Sequence, residues 1–138
     1  MATYSGELRL TTAGDGDTID LTEGVERVVA QSGATDGAVS VFVPGSTAAI
    51  TTMEFERGGV HDLKEALDRL IPPEGDYEHN RLNHDSNSHA HMRAAIVGPS
   101  ETFPLANGSL RLGTWQQVVL LDFDDRPRER TVVVTVTS

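Results

Sequence analysis

Residues 115–123 (WQQVVLLDF), 124–130 (DDRPRER) and 131–137 (TVVVTVT) form one continuous stretch, and its reading decides the fold class. Both outer runs are dense in Val, Leu or Thr, residue types that fit a pleated, half-buried surface. They are the longest strand candidates in the chain. The short charged segment between them predicts that they pair as antiparallel neighbours. Just upstream, TFPLANGSLRL (102–112) contains Asn107-Gly108, the strongest short-range hairpin signal, because both residues tolerate positive φ.

Further strands follow toward the N-terminus. Residues 4–10 (YSGELRL) alternate, 38–43 (AVSVFV) read as a buried strand closed by Pro44-Gly45, and 48–55 (AAITTMEF) read as another. Gly14, Gly16 and Asp17 mark a turn. Helices are set between these runs. Asp20 with Glu23 forms a capping-box pattern ahead of Leu21, Val25, Val28 and Val29 at helical spacing, with Gly33 as the stop. Gly58-Gly59 reads as a break. Asp62 with Glu65 repeats the cap ahead of Leu63, Ala66, Leu67 and Leu70, and Pro72-Pro73 ends that helix. Residues 74–88 are polar, and 87–97 read as a short helix. The class is α+β, one domain over residues 1–138, with about seven or eight strands and two or three helices.

Composition narrows the function classes. The 138 residues carry a net charge of −10, from 21 acidic and 11 basic side chains, and Lys64 is the only lysine. No basic stripe is present to neutralise phosphates, which argues against nucleic acid as a partner. The acidic surface fits a cytoplasm of high salt, where screening weakens self-repulsion. The absence of cysteine excludes disulfides, thiolate metal sites and a cysteine nucleophile. MATYSGELRL has no basic start followed by an apolar run, and no apolar stretch reaches the roughly 18 residues of a membrane span. A soluble, cytoplasmic protein with no membrane partner is expected.

Four of the five histidines fall between residues 79 and 91: His79, His84, His89 and His91, interleaved with Asn83, Asp85 and Asn87. Neutral imidazole together with carboxylate suits zinc, manganese or a similar divalent ion. His89 and His91 share a side only in extended backbone, whereas on a helix His84, Asn87 or Ser88, and His91 share a face. At most two or three of the four therefore converge. The competing reading is a solvated polar loop. Glu54, an acid ending an apolar strand, is a candidate to complete the site from elsewhere.

Other residues carry weaker chemistry. Ser100 follows Gly98-Pro99 without a Gly-x-Ser-x-Gly elbow, so a serine hydrolase is not indicated. No Gly-rich nucleotide loop is present. Trp115 reads as a core residue more readily than as a ligand contact. Gln116 beside it could orient a water or an amide. Arg126, Arg128 and Arg130 alternate, and planar guanidinium suits phosphate. Pairing with Asp122, Asp124 and Asp125 competes with that role.

Several of these features occur in the order found in one family. Ser46-Thr47-Ala48-Ala49-Ile50-Thr51 followed by Glu54, Tyr77-Glu78-His79, Asn87 to Arg93, Gly98-Pro99-Ser100, Leu112-Gly113-Thr114-Trp115-Gln116-Gln117 and Asp122-Phe123 resemble the YjbQ family, also called secondary thiamine-phosphate synthase. The resemblance implies a compact fold of β-sandwich character, with antiparallel or mixed sheets, assembled as a homotrimer. It implies a pocket of His79, His91 and Glu54, with Asp85, Asn87, Ser100, Trp115 and Gln116 nearby. His79, His91 and Asp85 are then the expected metal ligands. Glu54, His89 and Gln116 are the expected catalytic groups. Asn87, Ser100, Trp115, Arg126 and Arg128 are expected to hold a small, phosphorylated substrate. The implied cofactor is a divalent ion: zinc, manganese or magnesium. The family name implies a transferase that forms thiamine phosphate with loss of pyrophosphate. Two other readings stand beside it: a metal-dependent hydrolase of a small phosphorylated or amide substrate, and a trimer that binds a metal or ligand without catalysis.

Overall fold

Residues 2–138 are described by a computed structural model. In chain order the elements are β1 (Thr3–Thr12), β2 (Asp17–Asp20), α1 (Thr22–Ser32), β3 (Gly37–Phe42), β4 (Ala48–Met53), α2 (Arg57–Leu70), α3 (Glu78–Asn83), α4 (Ser88–Val97), β5 (Ser100–Ala106), β6 (Ser109–Leu110), β7 (Gln117–Asp122) and β8 (Arg128–Thr137). The strands build two antiparallel sheets, one of five strands ordered β1-β8-β3-β5-β6 and one of three ordered β2-β7-β4. The α+β expectation holds, with one helix more than the sequence indicated.

The main core lies between the sheets. Val39, Val41, Val132, Val134 and Val136 of the larger sheet meet Ile50, Val118 and Leu120 of the smaller one, and Val25, Val28 and Val29 of α1 join them. The opposite face of the small sheet is apolar too. Ala49, Val119 and Leu121 pack with Phe123 against Ala90 and Ala94 of α4, with Leu63 and Leu67 of α2 alongside. The small sheet is therefore a middle layer, covered by a sheet on one side and by helices on the other.

This layering corrects the hairpin expected from residues 115–137. β7 and β8 do not pair: β7 is the central strand of the small sheet, and β8 lies between β1 and β3 in the large one. Burial explains the division. Val118, Val119, Leu120 and Leu121 are all buried, as a strand covered on both faces requires, whereas β8 alternates between buried and half-buried positions. The intervening segment crosses from one sheet to the other.

Asn107 and Gly108 do form a tight turn between β5 and β6, with φ of 54° and 77°, as the Asn-Gly signal predicts. α2 begins earlier than expected. Gly58-Gly59 does not break the chain but lies in its first turn, where the Glu56 carboxylate accepts from both amides and so satisfies two free helix-end donors. Asp62 and Glu65 are consequently mid-helix and not a cap. At α1 the cap also differs: Asp20 accepts from the Thr22 amide and hydroxyl, with no return bond from Glu23. The segment read as a polar loop contains α3, and this short helix carries His79.

Candidate functional site

α3 and α4 meet at a tight connection. His84 ends α3 in a left-handed conformation with φ of 52°. Asn80 then fixes the turn, its carbonyl accepting from the Asp85 amide at 3.1 Å and its side chain accepting from the Ser88 amide at 3.1 Å. Ser86 donates to Asp125 and ties the connection to the segment between the sheets. The result sets the first turn of α3 against the first turn of α4.

His79, Asp85, Asn87 and His91 converge there. The rings of His79 and His91 lie 4.8 Å apart between centroids. His79 Nε2 lies 3.7 Å from Asp85 Oδ2. Asn87, which is buried, turns its amide nitrogen to within 3.3 Å of His79 Nε2 and 3.2 and 3.3 Å of the two Asp85 oxygens. The reverse orientation would set a carbonyl oxygen against the carboxylate. A polarised N–H group thus stands among an imidazole nitrogen and two carboxylate oxygens. That is the position in which a donor set of this kind would hold a cation, so the residues fit a divalent ion of the zinc or manganese type.

His91 also lines an open cleft of about 220 Å³ with Gly45, Ser46, Ala94, Ala95 and Pro99. Gly45 has φ of 138°. A Cβ there would stand 2.9 Å from Arg130 Nη1, so the close passage of the chain over that guanidinium requires glycine.

His89 is not part of this convergence. On α4 it is two residues, about 200° of helix rotation, from His91, and it faces inward. It is 3% exposed, and its Nδ1 has no hydrogen-bond partner. Burial lowers its pKa, and the Arg93 charge adds to that effect against the pull of Asp125, Asp15 and Asp124. The fourth histidine, His84, is exposed.

Two of the three arginines suited to phosphate, Arg128 and Arg130, are committed elsewhere. Arg130 donates to both oxygens of Asp122, at 2.7 and 2.9 Å, and to Thr47 at 2.7 Å. Arg128 donates to Asp124 at 2.8 Å. Arg126 is exposed. Asp122 and Asp124 are fully buried. Burial alone would push the Asp122 carboxyl up, but Arg130, Thr12 and the Asp124 amide hold it below its ordinary value. In Asp124 the same opposition, with Arg128 as the main partner, brings the pKa down to about 2. This cluster joins the two sheets and is internally satisfied.

Glu54, Trp115 and Gln116 lie at the far end of the small sheet. β4 and β7 run antiparallel with Ala48 opposite Asp122 and Met53 opposite Gln117. The histidines sit beyond the Ala48–Asp122 end. From Ala48 to Met53 the strand spans roughly 16 Å. Glu54 is exposed, and Gln116 brackets its own loop, accepting from the Gly113 amide and donating to Thr52 at 3.0 Å each. Trp115, expected in the core, is 73% exposed. Ser100 opens β5, exposed and opposite Phe42.

Arg93, for which no site role was expected, is buried and fastens α4 to the end of α2. It donates to the Ile71 carbonyl at 2.6 Å and to Asp68 at 3.1 Å, and it lies 5.9 Å from the Phe123 ring centre. Its signal was a basic residue on an apolar helix face. Among the described residues His61, Asp62 and Glu65 bring possible ligand atoms within 4.8 Å of one another. All three are exposed and paired with each other on one turn of α2, as solvated surface charges commonly are. The His79 cluster is more open in spacing but is built on a buried amide and two helices.

These features define a two-sheet α+β domain with a histidine–carboxylate cluster at one end of its middle layer. The UPF0047 protein YjbQ-like family model matches residues 6–138. The chain is 43% identical over 128 residues to a UPF0047 protein of Archaeoglobus fulgidus, covering 93% of this chain and 97% of the relative. It is 38% identical over 138 residues to one of Methanothermobacter thermautotrophicus, covering 100% and 94%. The crystal structure of a YbjQ-like protein of unknown function from Sulfolobus solfataricus superposes with a TM-score of 0.93 at 34% identity, covering 98% of this chain and 96% of that one. The chain belongs to the UPF0047/YjbQ-like family.

That membership corrects the functional expectation. The archaeal relatives are described only as UPF0047 proteins, and the Sulfolobus structure as one of unknown function; none carries a thiamine-phosphate synthase description. Of the arginines suited to phosphate, Arg128 and Arg130 are bound to buried aspartates, and Arg126 is exposed. The transferase assignment is set aside. No helix among the described residues is long and apolar enough to cross a membrane.

Proposed function

We propose that this chain binds a divalent transition-metal ion through His79, Asp85 and His91, with Asn87 beside them, and that the centre serves a small-molecule ligand. The carrying observation is the Asn87 amide nitrogen, held at 3.2 to 3.3 Å from His79 Nε2 and both Asp85 oxygens. His79 Nε2 and the two Asp85 oxygens surround that nitrogen, with the His91 ring 4.8 Å from the His79 ring, and a metal ion would exchange a weak N–H donor for a full positive charge. Imidazole nitrogens with one carboxylate favour zinc or manganese over magnesium, which prefers an all-oxygen shell.

When bound, the ion would supply Lewis acidity toward an oxygen donor of the ligand. The chain's own contribution is placement. Asn80 fixes the α3–α4 connection, Asn87 orients the Asp85 carboxylate, and the cleft beside His91 leaves room for a ligand on one side.

Elemental analysis of purified protein tests this directly, comparing wild type with His79→Ala, His91→Ala and His61→Ala at matched salt. Near-stoichiometric metal in wild type and His61→Ala, lost in the other two, is expected. Metal lost only in His61→Ala would move the site to the exposed α2 cluster. No metal in any protein after supplementation with zinc, manganese and magnesium would overturn the reading.

A further inference from the structure

A narrow crevice lies between α2 and the small sheet, apart from the histidines. Arg93, which borders it, is two residues, about 200° of helix rotation, from His91. Leu63 and Leu67 of α2 line one side, Leu121 and Phe123 line the other, and Lys64 and Arg93 complete the lining. The volume of about 10 Å³ holds roughly one water molecule. The two cations set its character. Lys64 is the only lysine of a chain with a net charge of −10. Its aliphatic stem lies over the turn at Gly16, where a Cβ would stand 3.3 Å from Lys64 Cε. Asp68 accepts from both cations, at 3.1 Å each. Two positive charges thus share one acid, and one charge is left over. Donors are left over too. Arg93 is 3% exposed. Its Nε and Nη2 serve the Ile71 carbonyl and Asp68, and among the described residues its Nη1 has no hydrogen-bond partner. The cover over the crevice is light. α1 and α4 each carry buried side chains, whereas α2 has none, and elements with so little buried contact open at low cost.

We propose that this crevice is a second binding site, for a small amphiphilic carboxylate. The apolar body lies among Leu63, Leu67, Leu121 and Phe123, the anionic head sits on Lys64 and on Arg93 Nη1, and α2 moves outward to make room. Asp68 keeps Arg93 Nη2, so the head uses only donors that the fold leaves unspent. Charge and surface together select the class. A neutral apolar molecule leaves the spare positive charge unmatched, and a small anion without an apolar body gains nothing from the leucines and the phenylalanine. The site is separate from the histidine centre and does not depend on a metal there.

Titration of the protein with octanoate, followed by amide shifts in proton–nitrogen correlation spectra with a chelator present, tests this. Acetate and 1-octanol serve as the head alone and the tail alone. Saturable shifts are expected at Gly16, Thr18, Leu63 to Leu67 and Arg93, with acetate and 1-octanol each binding at least several-fold more weakly. Lys64→Gln keeps most of the stem and removes the charge, and it should weaken octanoate several-fold. Leu67→Phe fills the crevice and should abolish saturation, with circular dichroism confirming its fold. If Leu67→Phe does not fold, Lys64→Gln and the comparison of probes decide. His79→Ala should bind octanoate as wild type does. Three results would overturn the proposal: no saturable shift with octanoate, equal binding of 1-octanol, or loss of binding in His79→Ala, which would move the carboxylate to the histidines.

Discussion

Two polar clusters lie at the same end of the small sheet, and they are built on opposite principles. In the Asp122–Asp124–Arg128–Arg130 cluster both acids are buried, and each is matched by a guanidinium and a threonine hydroxyl. In the His79–Asp85–Asn87–His91 cluster the acid is about half exposed, the amide is buried against His79 Nε2 and Asp85, and the two imidazole rings lie tilted 4.8 Å apart. The first cluster is closed, and its donors and acceptors are used up inside the fold. The second is open to solvent at Asp85 and His79, and no guanidinium or ammonium pairs with its acid. A closed cluster holds two sheets together, and an open one leaves capacity for a ligand. Both contain residue types suited to one ligand site, and satisfaction of their hydrogen bonds separates them.

The largest effect that would break this comparison is expected at Asp122. Asp122→Ala leaves Arg130 buried without its acid, and it also frees Thr12, whose hydroxyl donates to Asp122 at 2.6 Å. Removing one partner of a buried pair costs about 3–5 kcal/mol. Denaturant unfolding should show a loss in that range, with metal content per folded molecule unchanged. A loss below about 1 kcal/mol would mean that the cluster is not a closed structural device.

A somewhat smaller effect follows from acid. The Asp124 pKa of about 2 lies below its unfolded value, so its contribution is fully present above the unfolded pKa and is lost as pH falls through the folded one. The loss runs from about pH 4 toward pH 2 and amounts to roughly 2 kcal/mol, because a tenfold difference in proton affinity between the folded and unfolded chain is worth about 1.36 kcal/mol. Burial lowers the pKa of His89. Its neutral form is therefore favoured in the fold, and that contribution declines as pH drops below the ordinary histidine value. A pH series of urea midpoints on wild type and Asp124→Asn checks the acid step. The step should be smaller in the variant, with the Asp122 part remaining.

Why the sequence separated these clusters poorly is a matter of range. Strands and turns were legible because their signals are local: alternation in 4–10, the Asn107-Gly108 turn and the Gly33 stop all held. The pairing of β7 with β8 failed because adjacency in sequence says nothing about which sheet a strand enters. The residues hint at it only in part: VVLL at 118–121 is continuous, but TVVVTVT at 131–137 also holds three consecutive valines, and only burial shows that Val132, Val134 and Val136 share one face. For the site, one histidine segment could be localised, and helical geometry limited how many of its members converge. The choice of His79 with His91 required α3, a six-residue helix in a polar stretch with no apolar stripe to reveal it. The roles of Arg128 and Arg130 turned on whether Asp122 and Asp124 face inward, which a sequence of alternating charges leaves open.

The smallest effect on stability tests the open cluster most sharply. His79 and Asp85 are 35% and 44% exposed in their side chains, and pairs of that kind contribute about 0–1 kcal/mol. In the presence of a chelator, His79→Ala should therefore unfold within about 0.5 kcal/mol of wild type. Metal then discriminates. A ligand that binds only the folded chain stabilises it by about 2.7 kcal/mol at one hundred times its dissociation constant, so added zinc or manganese should raise the wild-type midpoint and leave the variant unmoved. If His79→Ala instead costs as much as Asp122→Ala in the chelated state, the histidines are structural and the contrast between the clusters collapses. If variant and wild type both respond to metal, the ion binds elsewhere, with the α2 group of His61, Asp62 and Glu65 the first place to look. Only the combination of an indifferent apo state and a lost metal response fits a cluster whose unused acceptors are held open for a cation.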